Sequence, residues 1–269
     1  MSEEDEPIFT PQDFIRYIAE VKKLPISVIK VPERLLITYQ RSAYEYAKSL
    51  INGKLLEWWI YGENQPFCVG KFNDVEVGLG RFWIGAPAAA TTLEEVIACG
   101  AKEIFEVGLS GGLQQFLKPG DIIVVTEAIR DEGTSHHYFP PEVKVESSED
   151  LRNRLLKQLN ADGVKHYCGK VWSTDGVYRE TRRKFLKFKR AEVLAVNMET
   201  SAIFAVSKYR GVRAASMQVI SDVLSETGWL PAFEHETVKE GVKIAINTVL
   251  KTFSKGWLKS LKAARQFNA

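Results

Sequence analysis

"METSAIFAVSKYRGVRAASMQVISDVL" (198–224) decides the fold. Its first half, through Val206, is a run of small and apolar residues that reads as a buried helix, closed by Gly211. Its second half, Val212 to Leu224, is a near-continuous apolar strand with polar residues at its end. A strand apolar on both faces belongs in a parallel or mixed sheet with helices on either side. Two carboxylates stand at conspicuous places. Glu199 opens the helix, and Ser221 and Asp222 end the strand. The helix dipole alone accounts for a Glu in a first turn. A functional reading needs partners elsewhere in the chain.

The flanking sequence repeats the helix and strand alternation. "RLLITY" (34–39), "KEIFEVGLSGG" (102–112), "DIIVVTEAIR" (121–130) and "KHYCGKVWSTD" (165–175) read as strands. "LLEWWIYG" (55–62) and "PFCVGKFNDVEVGLGRF" (66–82) read as further strands, the latter with an Asn-Asp turn at 73–74. Helices are expected at 11–24, 42–51, 147–163, 180–188 and across 233–266 as one helix or two, and 84–101 reads as a small-residue loop leading into a helix that ends near Gly100. The expectation is an α/β chain with a single domain and a central mixed sheet flanked by helices on both sides. In such sheets ligands bind at the carboxyl ends of the strands. That directs attention to Gly108–Gly112, Thr134–Tyr138, Ser173–Tyr178, Asn197–Glu199 and Ser221–Asp222.

Bulk composition removes several classes. The chain has 269 residues, with 36 basic and 34 acidic side chains. A balance that close argues against a nucleic-acid binder. The basic run "RETRRKFLKFKR" (179–190) is most simply a solvated helix face. Three scattered cysteines, with no CxxC, predict a reducing, cytoplasmic setting without disulfides or a thiolate metal site. The acidic start "MSEEDE" is unlike a signal peptide, and no apolar run is long enough to span a bilayer. No membrane partner is expected.

The strand ends suggest chemistry. "EVGLSGGLQ" (106–114) reads as a strand running into a Gly/Ser turn, whose free N–H groups could face an anion or simply make a turn. Trp172 and Tyr178 could lie against a planar heterocycle, although core packing explains Trp172 as well. His136 and His137 are adjacent, but they lack the further ligands a metal needs and read as a pocket wall. Asp222, partly desolvated at a strand end, suits a group that delivers a proton; a cap of the following turn is the plain alternative.

In order and spacing these elements resemble the nucleoside phosphorylase-I family, which includes hexameric purine nucleoside phosphorylases, uridine phosphorylases and related nucleosidases. The likeness rests on "VGLSGG", "LKPGDIIVVTEAIRDEGTS", "NMETSA" and "VISD", and runs from about residue 28 to 252. Residues 1–27 stand outside it as a helical extension, with 28–269 as the phosphorylase-like domain. The resemblance implies a partly barrel-like sheet and a homo-oligomer, a dimer or a trimer of dimers. It implies a ribose site at Met198 and Glu199, with Asp222 as the acid that protonates a purine ring nitrogen. It implies phosphate at Gly108 and Ser110 with Arg41 nearby, and a base site of Trp172, Tyr178, Arg183 and Ser221. Phosphate enters as co-substrate, with no metal or organic cofactor.

Two departures complicate this. Glu106 stands where the family carries a phosphate-binding Arg, and "TYQRS" (38–42) lacks the family's second, Arg-bearing loop. A Glu facing phosphate in a dry site repels it by several kcal/mol, on the order of the Coulomb energies expected there. Either Glu106 pairs with Arg41 or Arg81, or no phosphate binds and water attacks. The expectation is a nucleoside phosphorylase that cleaves a purine nucleoside with inorganic phosphate to give the free base and ribose 1-phosphate, with uridine as the other candidate nucleoside. The alternatives are a nucleosidase and a non-catalytic nucleoside-binding relative.

Overall fold

The computed structural model describes residues 6–253. In chain order its elements are α1 (Pro11–Val21), β1 (Arg34–Thr38), α2 (Arg41–Ile51), β2 (Lys54–Leu55), β3 (Phe67–Phe72), β4 (Val75–Arg81), α3 (Ala86–Ala98), β5 (Glu103–Gly112) and β6 (Ile122–Asp131). Then follow β7 (Val145–Glu146), α4 (Glu149–Ala161), β8 (His166–Thr174), α5 (Arg182–Arg190), β9 (Ala195–Asn197), α6 (Thr200–Tyr209), β10 (Arg213–Leu224), β11 (Trp229–Pro231) and α7 (Glu236–Thr252). The expected helix at 233–266 is seen to Thr252; its remainder lies outside the described residues.

The mixed sheet runs β11-β10-β6-β8-β9-β5-β1-β4-β3-β2, and β10 also pairs with β5. That extra pairing closes β5, β10, β6, β8 and β9 into a five-stranded barrel, leaving β1, β4, β3 and β2 as an open wing. β5 is the hub, parallel to β1 and β10 and antiparallel to β9. Side chains on β5 alternate between two cores, as a period of two requires. Ile104 packs in a cluster with α1, α3 and α6, whereas Phe105 and Val107 pack in one with α2, α4 and α7. Helices therefore cover both faces. The buried α6 contributes Ala202 through Val206 to the first cluster. The chain leaves α6 through Gly211 at φ 67°, a left-handed conformation that glycine adopts freely.

Local chemistry explains most boundaries. Thr10 and Asp13 form a reciprocal capping box at the start of α1. Ile15 and Ala19 of that helix join the first core cluster, so the N-terminal helix is packed into the domain. Asn73 and Asp74 both have positive φ, as a two-residue hairpin turn between β3 and β4 demands. The expected strand at 55–62 is a correction: only Lys54–Leu55 is extended. The segment instead folds over so that Trp58 and Trp59 are buried edge to face, with Trp59 Nε1 donating to the Gln65 carbonyl at 2.6 Å. The "VGLSGG" stretch is a second correction. Its glycines are strand residues, not a turn, and their backbone is committed to β10 and β9.

Candidate active site

One cavity of about 820 Å³ opens at the ends of β5, β9 and β10, within the range of small-molecule sites. Met198 and Glu199 line it from the turn between β9 and α6, and Ser221 and Asp222 from the end of β10. Both carboxylates of the opening stretch therefore face one space.

The β9–α6 turn is held by hydrogen bonds. The Ser173 hydroxyl donates to Asn197 Oδ1 at 2.7 Å, and Asn197 Nδ2 donates to the Thr200 hydroxyl at 2.6 Å. Glu199 does not cap its own helix through its side chain. Its Oε1 accepts from the Gly85 N–H at 2.8 Å, and Oε2 accepts from the Met198 N–H at 3.1 Å. Burial, and then the neighbouring Glu106, push its carboxyl up to about 7. The first-turn explanation by helix dipole is thus insufficient; this carboxylate is spent on α3's entry and on the cavity.

Asp222 owes its aim to a bulge. Ile220 pairs with Ser110 and Asp222 with Gly111, so Ser221 is an inserted residue. The Ser221 hydroxyl donates to Asp222 Oδ1 at 2.7 Å, and Trp229 Nε1 donates to Oδ2 at 2.7 Å. Trp229 comes from β11, which folds back antiparallel on β10. Gly111 has no room to spare: a Cβ there would come within 3.0 Å of Asp222 Oδ2 and 2.7 Å of Leu224.

Glu106 is fully buried on β5 and pairs with neither Arg41 nor Arg81. Its Oε1 accepts from the Tyr39 hydroxyl at 2.7 Å and its Oε2 from the Thr200 hydroxyl at 2.8 Å. Burial pushes its carboxyl up, against the pull of these donors. Behind it, Gln218 Nε2 donates to Ser216 and Thr200, and Ser110 donates to Gln218 Oε1 at 2.8 Å. Tyr39 and Ser110, at the two ends of this polar chain, both line the cavity.

The other expected site residues divide. Tyr178 stands 97% exposed at the cavity rim. Trp172 is a correction: it is fully buried, stacked near Phe188 at 4.6 Å and bonded to Asp131, away from the cavity. Arg183 lies exposed on α5 and Arg41 exposed at the start of α2, and neither lines the cavity. Gly108 is packed beneath Gln218, whose Oε1 would be 2.8 Å from a Cβ there. Thr134, His137 and Tyr138 face a separate hollow of about 510 Å³ beside α3. Tyr39, Glu180, Trp229 and Phe233 were not expected, yet all line the main cavity. Among the described residues no arginine lines it; its cations are Lys239 and Lys243 of α7. Among the same residues, no group of three or more His, Cys, Asp or Glu is arranged to hold a metal, and no helix is long and apolar enough to cross a membrane.

A closed five-stranded barrel with an open wing, and a cavity at its strand ends, is the architecture of nucleoside phosphorylases. The uridine phosphorylase of Vibrio fischeri superposes with a TM-score of 0.74 at 24% identity, over 83% of this chain and 92% of that one. The purine nucleoside phosphorylase of Toxoplasma gondii, in complex with immucillin-H, gives 0.77 at 17% identity, over 84% and 91%. The family model described as the Phosphorylase superfamily matches residues 43–254, and the chain belongs to that family. Among curated relatives, the guanosine phosphorylase of Halorubrum lacusprofundi is 27% identical over 200 residues, 71% of this chain and 83% of that protein. The uridine phosphorylase of Haemophilus influenzae is 24% identical over 196 residues, 68% and 77% respectively. The chain is accordingly an enzyme of the nucleoside phosphorylase type.

Proposed function

We propose that this protein splits the N-glycosidic bond of a purine nucleoside with inorganic phosphate, giving the free base and ribose 1-phosphate. The observation that carries this is the convergence of Glu199 and Asp222 on one cavity. Bond cleavage builds positive charge on the ribose and negative charge on the leaving base. An ionised Glu199 at the ribose hydroxyls steadies the first. A proton from Asp222 steadies the second. Met198 packs beside the sugar, and Tyr178, Ser221 and Trp229 bound the base. The first turn of α2, where Ser42 and Ala43 line the cavity, offers hydroxyl and N–H donors to an anion, and Ser110 joins them once its hydroxyl turns from Gln218 Oε1. No metal or organic cofactor takes part in this scheme.

A second reading, with water as the acceptor, is favoured by a specific observation. Glu106 is buried without a cation, and no arginine among the described residues reaches the cavity. In that reading Tyr39, held by Glu106, positions the water. Incubation with guanosine, inosine, adenosine and uridine, each with and without phosphate, separates the two. Base release that requires phosphate supports phosphorolysis, and release at the same rate without it supports hydrolysis. Nucleoside binding with no base release in either arm contradicts both, and leaves a binding relative.

We also infer a cytoplasmic homo-oligomer, a dimer or a trimer of dimers. The three free cysteines support the compartment. Exposed Trp83, Ile84, Tyr178, Trp229 and Phe233 near the cavity mouth support assembly there. Sedimentation at assay concentration should give a multiple of the chain mass; a monomer contradicts it.

A further inference from the structure

Four carboxyls line the cavity: Glu180, Glu199, Asp222 and Glu234. Three have partners. Glu199 accepts two backbone N–H groups, Asp222 accepts from Ser221 and Trp229, and Glu234 lies 3.7 Å from Lys239. The side chain of Glu180 alone has no hydrogen bond or ion pair among the described residues. It shares the cavity wall with Asp222 and is half-buried; burial, and then the charge of Asp222, push it up to about 7. A carboxyl in that position lacks a donor.

Its backbone is well fixed. Glu180 follows the 3-10 turn Val177–Arg179, with its N–H bonded to the Val177 carbonyl, and precedes Thr181, whose hydroxyl caps α5. α5 is anchored by Phe185 and Phe188, the latter against Trp172. Trp172 thus serves the site indirectly, by holding the segment that carries Glu180.

We propose that Glu180 is the residue that reads the base, and that it selects a guanine-type ring with two adjacent N–H donors on one edge. This rests on the nucleoside-cleaving reading above. An ionised carboxylate only accepts hydrogen bonds, and two parallel N–H donors match its two oxygens. Guanine presents a ring N–H beside an exocyclic amino group. Hypoxanthine presents the ring N–H alone. Adenine presents an acceptor at that ring position. Uracil flanks its N–H with two carbonyl oxygens, which a carboxylate repels. Asp222 accepts from Ser221 and Trp229 and is assigned to the proton, which leaves Glu180 as the cavity carboxylate with no donor of its own.

The test measures kcat/KM and equilibrium binding for guanosine, inosine and adenosine with wild type, Glu180→Gln and Glu180→Ala. Wild type should prefer guanosine to inosine by about tenfold or more, the worth of one charge-assisted hydrogen bond. Both substitutions should collapse that ratio to near one, with guanosine losing most, inosine losing about tenfold for its single ring N–H bond, and adenosine changing least. A loss of packing alone would lower all three nucleosides together and leave the ratio intact. A wild type with no guanosine preference, or a ratio untouched by both substitutions, overturns the proposal. If no nucleoside releases base, the cleavage reading fails, and the binding ratio still judges Glu180. If base is released but the ratio ignores Glu180, the Glu180 assignment fails alone.

Discussion

Asp222 can deliver a proton only if one of its oxygens is released from its present donors. Ser221 makes that possible. Its hydroxyl donates to Asp222 Oδ1 but also lies 3.4 Å from the Ser110 carbonyl, so a rotation toward Ser110 frees Oδ1 to carry hydrogen. Glu199 has the opposite requirement, since it must be charged to steady a cationic ribose. Its carboxyl is raised to about 7 by burial, so it is neutral well below that value and ionised above it. Glu180, raised to about 7 as well, must also be ionised to accept from a base. Both dependences have the same sign. kcat/KM for guanosine should therefore rise as pH increases through about 7, by roughly tenfold per pH unit on the acid limb if one group governs it. A profile that is flat or falling between pH 6 and 8 contradicts the charged roles of both residues.

These residue roles were unequally legible. Met198, Glu199, Ser221 and Asp222 stood out because a polar group at the end of an apolar run is visible in one dimension. Trp172 and Arg183 are illegible in the same way, because membership of a segment does not say which way a side chain points. Trp172 turns into the core beneath α5, and Arg183 faces solvent from that helix. Glu180 lies three residues from Arg183, one acid in a basic run. Its sole signal was that contrast of charge.

At the scale of elements, β5 and β10 make the site. Their alternation places Glu106 and Ser110 on one strand and Ser216 and Gln218 on the other along a single polar face, while Phe105, Val107, Met217 and Val219 fill the opposite core. The sequence shows β10 as almost uniformly apolar, and the short polar residues within it are easily read as tolerated core. The bulge at Ser221 is illegible in sequence, because it arises from the register against Gly111. It leads to a prediction. Gly111→Ala adds a methyl group within 3.0 Å of Asp222 Oδ2 and 2.7 Å of Leu224. Base release should fall by about a hundredfold, the scale expected for a misplaced catalytic group. Thermal unfolding should shift by only a few degrees. Unchanged turnover would show that the bulge does not set the aim of Asp222.

At the scale of the molecule, the alternation of helix and buried strand was enough to give an α/β chain with helices on both faces. Closure into a barrel was not in the pattern itself. It depends on β10 pairing with β5 across more than a hundred residues, and entered only through family resemblance. The anion question likewise belongs to the whole. Glu106 is locked into a buried network with Tyr39 and Thr200 instead of facing a cation, which among the described residues leaves the two lysines of α7 as the cavity's positive charges.

The central claim is that one nucleoside is held between two carboxyl groups, and a crystal structure with bound guanosine tests it most directly. The ribose hydroxyls should lie within hydrogen-bond reach of Glu199, with a ring nitrogen of the purine facing Asp222. Guanosine bound elsewhere, or lying in the cavity with its sugar remote from Glu199, would contradict it.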